Sequence, residues 1–268
     1  MTWIFLNKNN SDEYIEMLAA GSNAEPTCLE TWRYEDSTDP LVLRGIMKHK
    51  IIKRCWQDQR QFFYMDTGYL GNRSNPSNPG GWKHWHRIVP NNLQHTSVID
   101  RPADRLKKLD IKINPKSRPG RDILIVAPDQ KPCEFYDITL GQWLVSVQSE
   151  IRQHTDRPIR LRERPASRLD RKTQLPEQWL EDVHAVVTFN STAATESILA
   201  GIPVFITEPA ANAAKPVSNS DLGKIESPWF PDQDQIYKWA CHLAYGQFHV
   251  KELANGTATA ILKETQNA

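Results

Sequence analysis

His184-Ala-Val-Val-Thr-Phe-Asn-Ser-Thr-Ala-Ala-Thr-Glu-Ser-Ile-Leu-Ala-Gly-Ile-Pro-Val-Phe-Ile206 reads as strand, polar turn, short helix, glycine stop and strand. Ala185–Phe189 is a β-branched and aromatic run of the length a buried strand needs. Asn190, Ser191 and Thr192 are helix-capping residue types, and Ala193–Ala200 is good helix-forming sequence. Gly201 suits the left-handed position after a helix, and Pro203 blocks its continuation. The stretch predicts a polar turn at a helix N-terminus, beyond the carboxyl end of a strand. Open α/β sheets bind ligands there, and a helix N-terminus favours phosphate.

Working outward, the neighbouring segments repeat the pattern. Asp122–Ala127 is a buried strand followed by a loop over Pro128–Cys133, and Thr139–His154 carries apolar residues at helical spacing. Pro158–Pro165 is a strand ending in charge, and Pro176–Asp182 is a short helix. If these strands are parallel, their carboxyl ends share one edge. The Pro128–Pro132 loop, Arg162 and Arg164, and the Asn190–Thr192 turn then converge. Arginine offers a fork suited to phosphate oxygens, and Glu196, one turn beyond Thr192, is placed to accept from ribose hydroxyls. The combination describes a nucleotide diphosphate site; surface ion pairs and a plain capped helix are the blander alternative.

The first part of the chain also alternates: a strand at Trp3–Leu6, a helix over Glu13–Ala20 ended by Gly21, a weaker strand near Thr27–Tyr34, Leu41–Leu43, a helical stretch over Arg44–Gln59, and a strong strand at Gln61–Met65. Residues 66–100 then read as one long functional loop, with Asp66-Thr-Gly-Tyr69 and the cluster Trp82-Lys-His-Trp-His-Arg87. Pro102–Gly120 is polar, basic and punctuated by Pro115 and Pro119, as a linker would be. The expected fold class is α/β, with two Rossmann-like halves facing a cleft. Residues 1–118 would form the first half, 119–234 the second, and 235–268 terminal helices packed back on the body.

Composition sets bounds. A chain of 268 residues with 39% hydrophobic residues and net charge +1 is long and apolar enough for real cores, and is not disordered. No run approaches a membrane span, and the N-terminus lacks the charged region of a signal peptide. Cys28, Cys55, Cys133 and Cys241 are scattered, fitting packing residues in a reduced, cytoplasmic compartment. Residues 10–39 are acidic, whereas Arg101–Arg121 and Arg152–Lys172 are basic, so a polyanionic ligand, nucleotide or nucleic acid, fits. His84, His86 and His95 lack a nearby carboxylate or cysteine to complete a metal site. Asp232-Gln-Asp234 reads better as a helix start than as a metal-binding pair.

The segment Val186–Val204 resembles the donor-site segment of glycosyltransferases with the two-domain GT-B architecture. The basic strand end before it is similar to the Arg-x-His/Lys-Pro element of capsule-type sugar transferases, with Arg164 standing where that element has His or Lys. More narrowly, Asp66-Thr-Gly-Tyr69, Trp85-His-Arg87, and Leu243-Ala-Tyr245 with Glu252–Ala258 resemble elements of bacteriophage glycosyltransferase-like proteins. The Ser-Thr-x-x-x-Glu pattern also occurs in nucleotide-sugar epimerases. The resemblance implies sugar transfer from a nucleotide-sugar donor to a hydroxyl, without cofactor or metal. It places donor binding at Arg162, Arg164, Asn190, Ser191, Thr192 and Glu196. The general base would be Asp66, with His86 and His84 second, and the acceptor would meet Tyr69, Trp85 and Arg87. A hydroxymethylated base in phage DNA is one acceptor the resemblance suggests; a saccharide or small molecule is another. A 2-epimerase and a non-catalytic nucleic-acid-binding module are the alternatives.

Overall fold

A computed structural model describes residues 2–8, 12–71, 83–118, 120–162 and 176–266. The chain divides into two compact units, Met1–Leu93 with Ala244–Ala268, and Gln94–Leu243. The expected break at residue 118 therefore falls earlier, and the terminal segment belongs with the first unit.

In chain order the first unit contains β1 (Ile4–Asn7), α1 (Glu13–Gly21), β2 (Thr27–Cys28), β3 (Leu41–Arg44), α2 (His49–Gln57), β4 (Phe62–Thr67) and β5 (Trp85–Pro90). The second contains α3 (Asp104–Leu109), β6 (Asp122–Val126), α4 (Gln130–Phe135), α5 (Leu140–Arg152), β7 (Ile159–Arg162), α6 (Pro176–Trp179), β8 (Val183–Thr188), α7 (Ala193–Leu199) and β9 (Val204–Ile206). Helix α8 (Gln233–Tyr245) runs through the junction, and β10 (Gln247–His249), α9 (Val250–Ala254) and α10 (Thr257–Gln266) complete the first unit.

The first unit's sheet has the order β10-β5-β4-β3-β1-β2. Its β1, β2, β3 and β4 are parallel, and β5 is antiparallel to both β4 and β10. Phe62, Phe63, Tyr64 and Met65 are all buried, as expected for a strand covered on both faces. Ile15, Leu18 and Ala19 form the buried stripe of α1 and join Phe5, Phe63, Phe248 and Leu253 in one core. Gly21 permits the closest approach: a Cβ there would lie 2.0 Å from the Leu253 carbonyl oxygen.

The second unit's sheet, β7-β6-β8-β9, is wholly parallel. Trp143, Val147 and Ile151 of α5 pack with Ile123, Ile125, Val187 and Phe189. Thr139 caps α5, its side chain accepting from the Gln142 N–H. Gly201 takes φ +85° after α7, as the sequence requires, while the Ile202 N–H returns to Ser197 O at 2.9 Å.

Both sheets contain the strand order second-first-third-fourth. In each, the second strand lies on one side of the first and the third on the other. Two switch points follow, between β1 and β3 and between β6 and β8.

Three expectations change. The 66–100 segment contains β5, because its polar strand residues have partners inside the sheet. The Pro128–Pro132 loop gives way to α4, whose Cys133 and Phe135 are buried. The supposed linker carries α3 with Leu106 buried, and the Asn114 and Arg118 N–H groups bond to Leu199 O and Gly201 O at 2.8 Å each. All four cysteines are free, and Cys55, Cys133 and Cys241 are buried. Among the described residues no helix is long and apolar enough to cross a membrane.

Candidate functional site

Register places Val126, Arg162, Thr188 and Ile206 side by side at the carboxyl edge of the second unit's sheet. The Thr188 hydroxyl donates to Val126 O at 2.9 Å, tying the two strands that flank the switch point. Beyond Thr188 comes the turn that the sequence singled out.

That turn is held by two buried carboxamides. Gln94 Nε2 donates to Asn190 O at 2.7 Å, while its Oε1 accepts the Ala213 N–H at 3.0 Å. Asn212 Nδ2 donates to Phe189 O and Ser191 O at 3.4 and 3.3 Å, and its Oδ1 accepts the Ala214 N–H. Both side chains are almost fully enclosed, at 3% and 0% exposure. They lock the Asn190–Thr192 turn to the segment that follows β9. Tyr136 OH accepts the Ala211 N–H at 2.9 Å and Trp239 Nε1 donates to Ala213 O at 2.7 Å, so the same segment is fixed from two further elements. Sequence reading missed Gln94 and Asn212, since neither stands in a motif.

The helix start differs from expectation. Thr192 occupies the cap position without a side-chain bond, and Ser191 Oγ accepts the Ala193 N–H at 3.2 Å instead. The Ala194 N–H bonds to Ser191 O, and those of Thr195 and Glu196 bond to Thr192 O. The first-turn donors of the seven-residue α7 are thus engaged locally. Arg162, at the end of β7, lies over the buried Trp179 ring with Cζ 4.5 Å from its centroid. Lys215, in the segment after β9, holds the Glu208 carboxylate at 2.7 and 2.8 Å. It is a cation the sequence reading did not single out. Glu196 is half-buried one turn beyond Thr192. Arg164 lies outside the described residues, as does Trp82.

The first unit gathers the other named residues on and beside β4 and β5. Asp66 sits within β4, not in a loop after it, opposite Arg87 in the ladder. Its Oδ2 accepts from Tyr64 OH at 2.8 Å and lies 3.4 Å from Arg87 Nη2, and its Oδ1 accepts the Thr67 N–H at 2.7 Å. Burial pushes this carboxyl up, but Arg87 and the two hydrogen bonds outweigh it and hold the pKa below the ordinary value.

Arg87 is 7% exposed and further occupied: Nε donates to Leu93 O and Nη1 to Thr67 O. Tyr69 is buried, its N–H donating to Gln247 Oε1. Tyr69 and Arg87 therefore fasten the sheet and do not present an acceptor surface within this unit. Trp85 is half-buried and meets His249 edge-on at 5.2 Å. His86 is 1% exposed, with its ring 4.1 Å from that of Tyr14 and Nε2 3.0 Å from Lys83 O. Burial lowers its pKa to about 4, with Arg44 adding to the effect, so the imidazole is neutral at pH 7.

His95 belongs to the other unit, edge-on to His242 at 5.0 Å, so the three histidines are divided between units. Among the described residues no group of three or more His, Cys, Asp or Glu is placed to hold a metal ion. Asp232 starts α8 as expected, its Oδ1 accepting the Gln235 N–H while Gln235 Oε1 accepts the Asp232 N–H.

No family model matches the chain, and no curated protein matches it. Among solved structures it is similar to the beta Kdo 2,4 transferase of Thermosulfurimonas dismutans KpsC, at 11% identity and TM-score 0.48, covering 90% of each chain. It is also similar to the beta Kdo 2,7 transferase of the same KpsC, at 12% identity and TM-score 0.49, covering 96% of this chain and 99% of the other.

Proposed function

We propose that this chain transfers a glycosyl group from a nucleotide-sugar donor, held by the second unit, to a hydroxyl group held by the first. The observation that carries the reading is the Asn190–Thr192 turn, fixed at the β6/β8 switch point by buried Gln94 and Asn212. A turn anchored in this way is preorganised, so ligand binding costs little ordering.

In the proposed mechanism Arg162 and Lys215 face the phosphate, where negative charge grows as the anomeric C–O bond breaks. Glu196 accepts from the ribose hydroxyls. The acceptor oxygen bonds to the anomeric carbon while its proton passes to a base. Asp66 takes that role, because it stays ionised at neutral pH and is half-buried at the carboxyl end of β4. His86 is enclosed and has its Nε2 on Lys83 O, which leaves it a supporting role.

The test is transfer or hydrolysis of labelled nucleotide sugars by the whole chain, with saccharide and hydroxymethylated-DNA acceptors as separate arms. Activity that disappears in Arg162→Ala and Asp66→Asn, with folding intact, supports the proposal. Release of an epimerised free sugar without any acceptor supports an epimerase instead. Salt-sensitive DNA binding with no response to nucleotide sugars supports a nucleic-acid-binding module.

A further inference from the structure

The Lys215 ammonium is shared with a carboxylate: Nζ donates to Glu208 Oε1 and Oε2 at 2.7 and 2.8 Å. Both residues sit at the carboxyl edge of the second unit's sheet. Glu208 comes two residues after Ile206, which closes β9 level with Thr188, and the Thr207 N–H between them bonds to Thr188 O at 3.0 Å. Thr188 in turn lies two residues before Asn190. Lys215 opens a 3₁₀ turn, Lys215–Val217, and its N–H bonds to Asn212 O at 3.1 Å.

The segment between the two charges is held closely. Tyr136 accepts the Ala211 N–H, Gln94 the Ala213 N–H and Asn212 the Ala214 N–H, while Trp239 donates to Ala213 O. Gln94 and Asn212 are the side chains that also hold the Asn190–Thr192 turn. The ion pair is therefore fixed relative to that turn. Its carboxylate is 66% exposed and its ammonium 27%, so the pair contributes little to stability. A negative charge fixed on this cation bears instead on which anions the edge accepts.

In the proposed transfer the acceptor oxygen bonds to the anomeric carbon and its proton passes to Asp66. The anomeric C–O bond breaks with its electron pair on the phosphate oxygen. A phosphate diester thereby becomes a monoester, whose second ionisation lies near pH 6, so the departing nucleotide carries about one more negative charge than the donor. Glu208 acts against both anions and more strongly against the product.

We infer that Glu208 is a specificity-determining residue that competes with phosphate for Lys215 and so disfavours the free nucleotide relative to the nucleotide sugar. The inference rests on the proposed function and deepens it, by assigning discrimination between donor and product to one carboxylate.

The experiment is calorimetric titration of the whole chain with UDP-glucose, GDP-mannose and CMP-sialic acid, each beside its free nucleotide. For the pair that binds, Glu208→Gln should tighten the free nucleotide about three- to fivefold more than the nucleotide sugar. Glu208→Asp, which keeps the charge, should restore the wild-type ratio, and Lys215→Met should weaken both ligands. A ratio unchanged in Glu208→Gln, or equal weakening of both ligands as a purely structural clasp predicts, overturns the inference and leaves the transferase reading standing. Wild-type protein that binds no member of any pair overturns both.

Discussion

Arg87 and Asp66 stand opposite each other on antiparallel strands, and the guanidinium divides its donors between the Asp66 carboxylate and the carbonyls of Thr67 and Leu93. One side chain thereby closes the end of β4 to β5 and keeps Asp66 charged. Arg87→Ala leaves a carboxylate without its cation and two carbonyls without a donor. We expect a loss of about 2–4 kcal/mol, below the full figure for a buried pair because Asp66 is part-exposed. Urea unfolding checks this; a loss under about 1 kcal/mol would show the fork to be dispensable.

The turn at Asn190 depends on its carboxamides in the same way. Gln94→Ala strands Asn190 O and the Ala213 N–H inside the protein, at a cost of about 1–3 kcal/mol. Nucleotide-sugar binding should weaken in Gln94→Ala and in Asn212→Ala while the first unit stays folded. Calorimetric titration of both variants decides the point, since unaltered affinity would separate the turn from the ligand.

Two glycines are held by space and backbone angle. Gly201→Ala forces an L residue to φ +85° and brings its Cβ to 2.5 Å from Lys116 O, and Gly21→Ala meets Leu253 O. Each should lower stability by about 1–3 kcal/mol, readable as a fall in Tm.

Acid should weaken the fold through two buried imidazoles. His86 and His242 both have folded-state pKa values near 4, below the usual histidine value of about 6.5, chiefly because burial opposes their charged form. As pH falls, the unfolded chain takes up these protons first. Stability is therefore fully present above about pH 6.5, declines between 6.5 and 4, and levels off for these groups below 4. Each contributes up to about 3 kcal/mol. Asp66, with its pKa depressed, contributes stability above the ordinary carboxylate range that is lost only at more acid pH. Tm measured against pH in wild type and His86→Leu should show the slope between pH 6.5 and 4 reduced by about half. An unchanged slope would contradict the buried-imidazole account.

The parallel core was readable because its strands are apolar runs separated by turn residues, and β6, β8 and β9 lie where that pattern puts them. Strand β5 was hidden, since Trp85-His-Arg87 reads as surface, yet His86 and Arg87 are buried with partners on distant segments. Strand β10 has only three residues and pairs antiparallel with β5 across a long sequence gap, which no local period records. The basic stretch after residue 100 looked like a linker because its charge masks Leu106 and backbone bonds made to α7 and Gly201. Of the candidate site, the sequence singled out the turn and Arg162, while Gln94, Asn212 and Lys215 stand in no motif. Their roles depend on folding that brings separated segments together.

Thermal shift against a panel of nucleotide sugars tests the proposal that the fixed turn and Arg162 hold a nucleotide sugar. A ligand that binds only the native state must raise its stability, by about 2.7 kcal/mol at a hundredfold excess over Kd. The expected result is a clear rise in Tm with at least one nucleotide sugar, reduced in Arg162→Ala and Gln94→Ala. No rise with any member of the panel, or a rise undiminished in both variants, would contradict it.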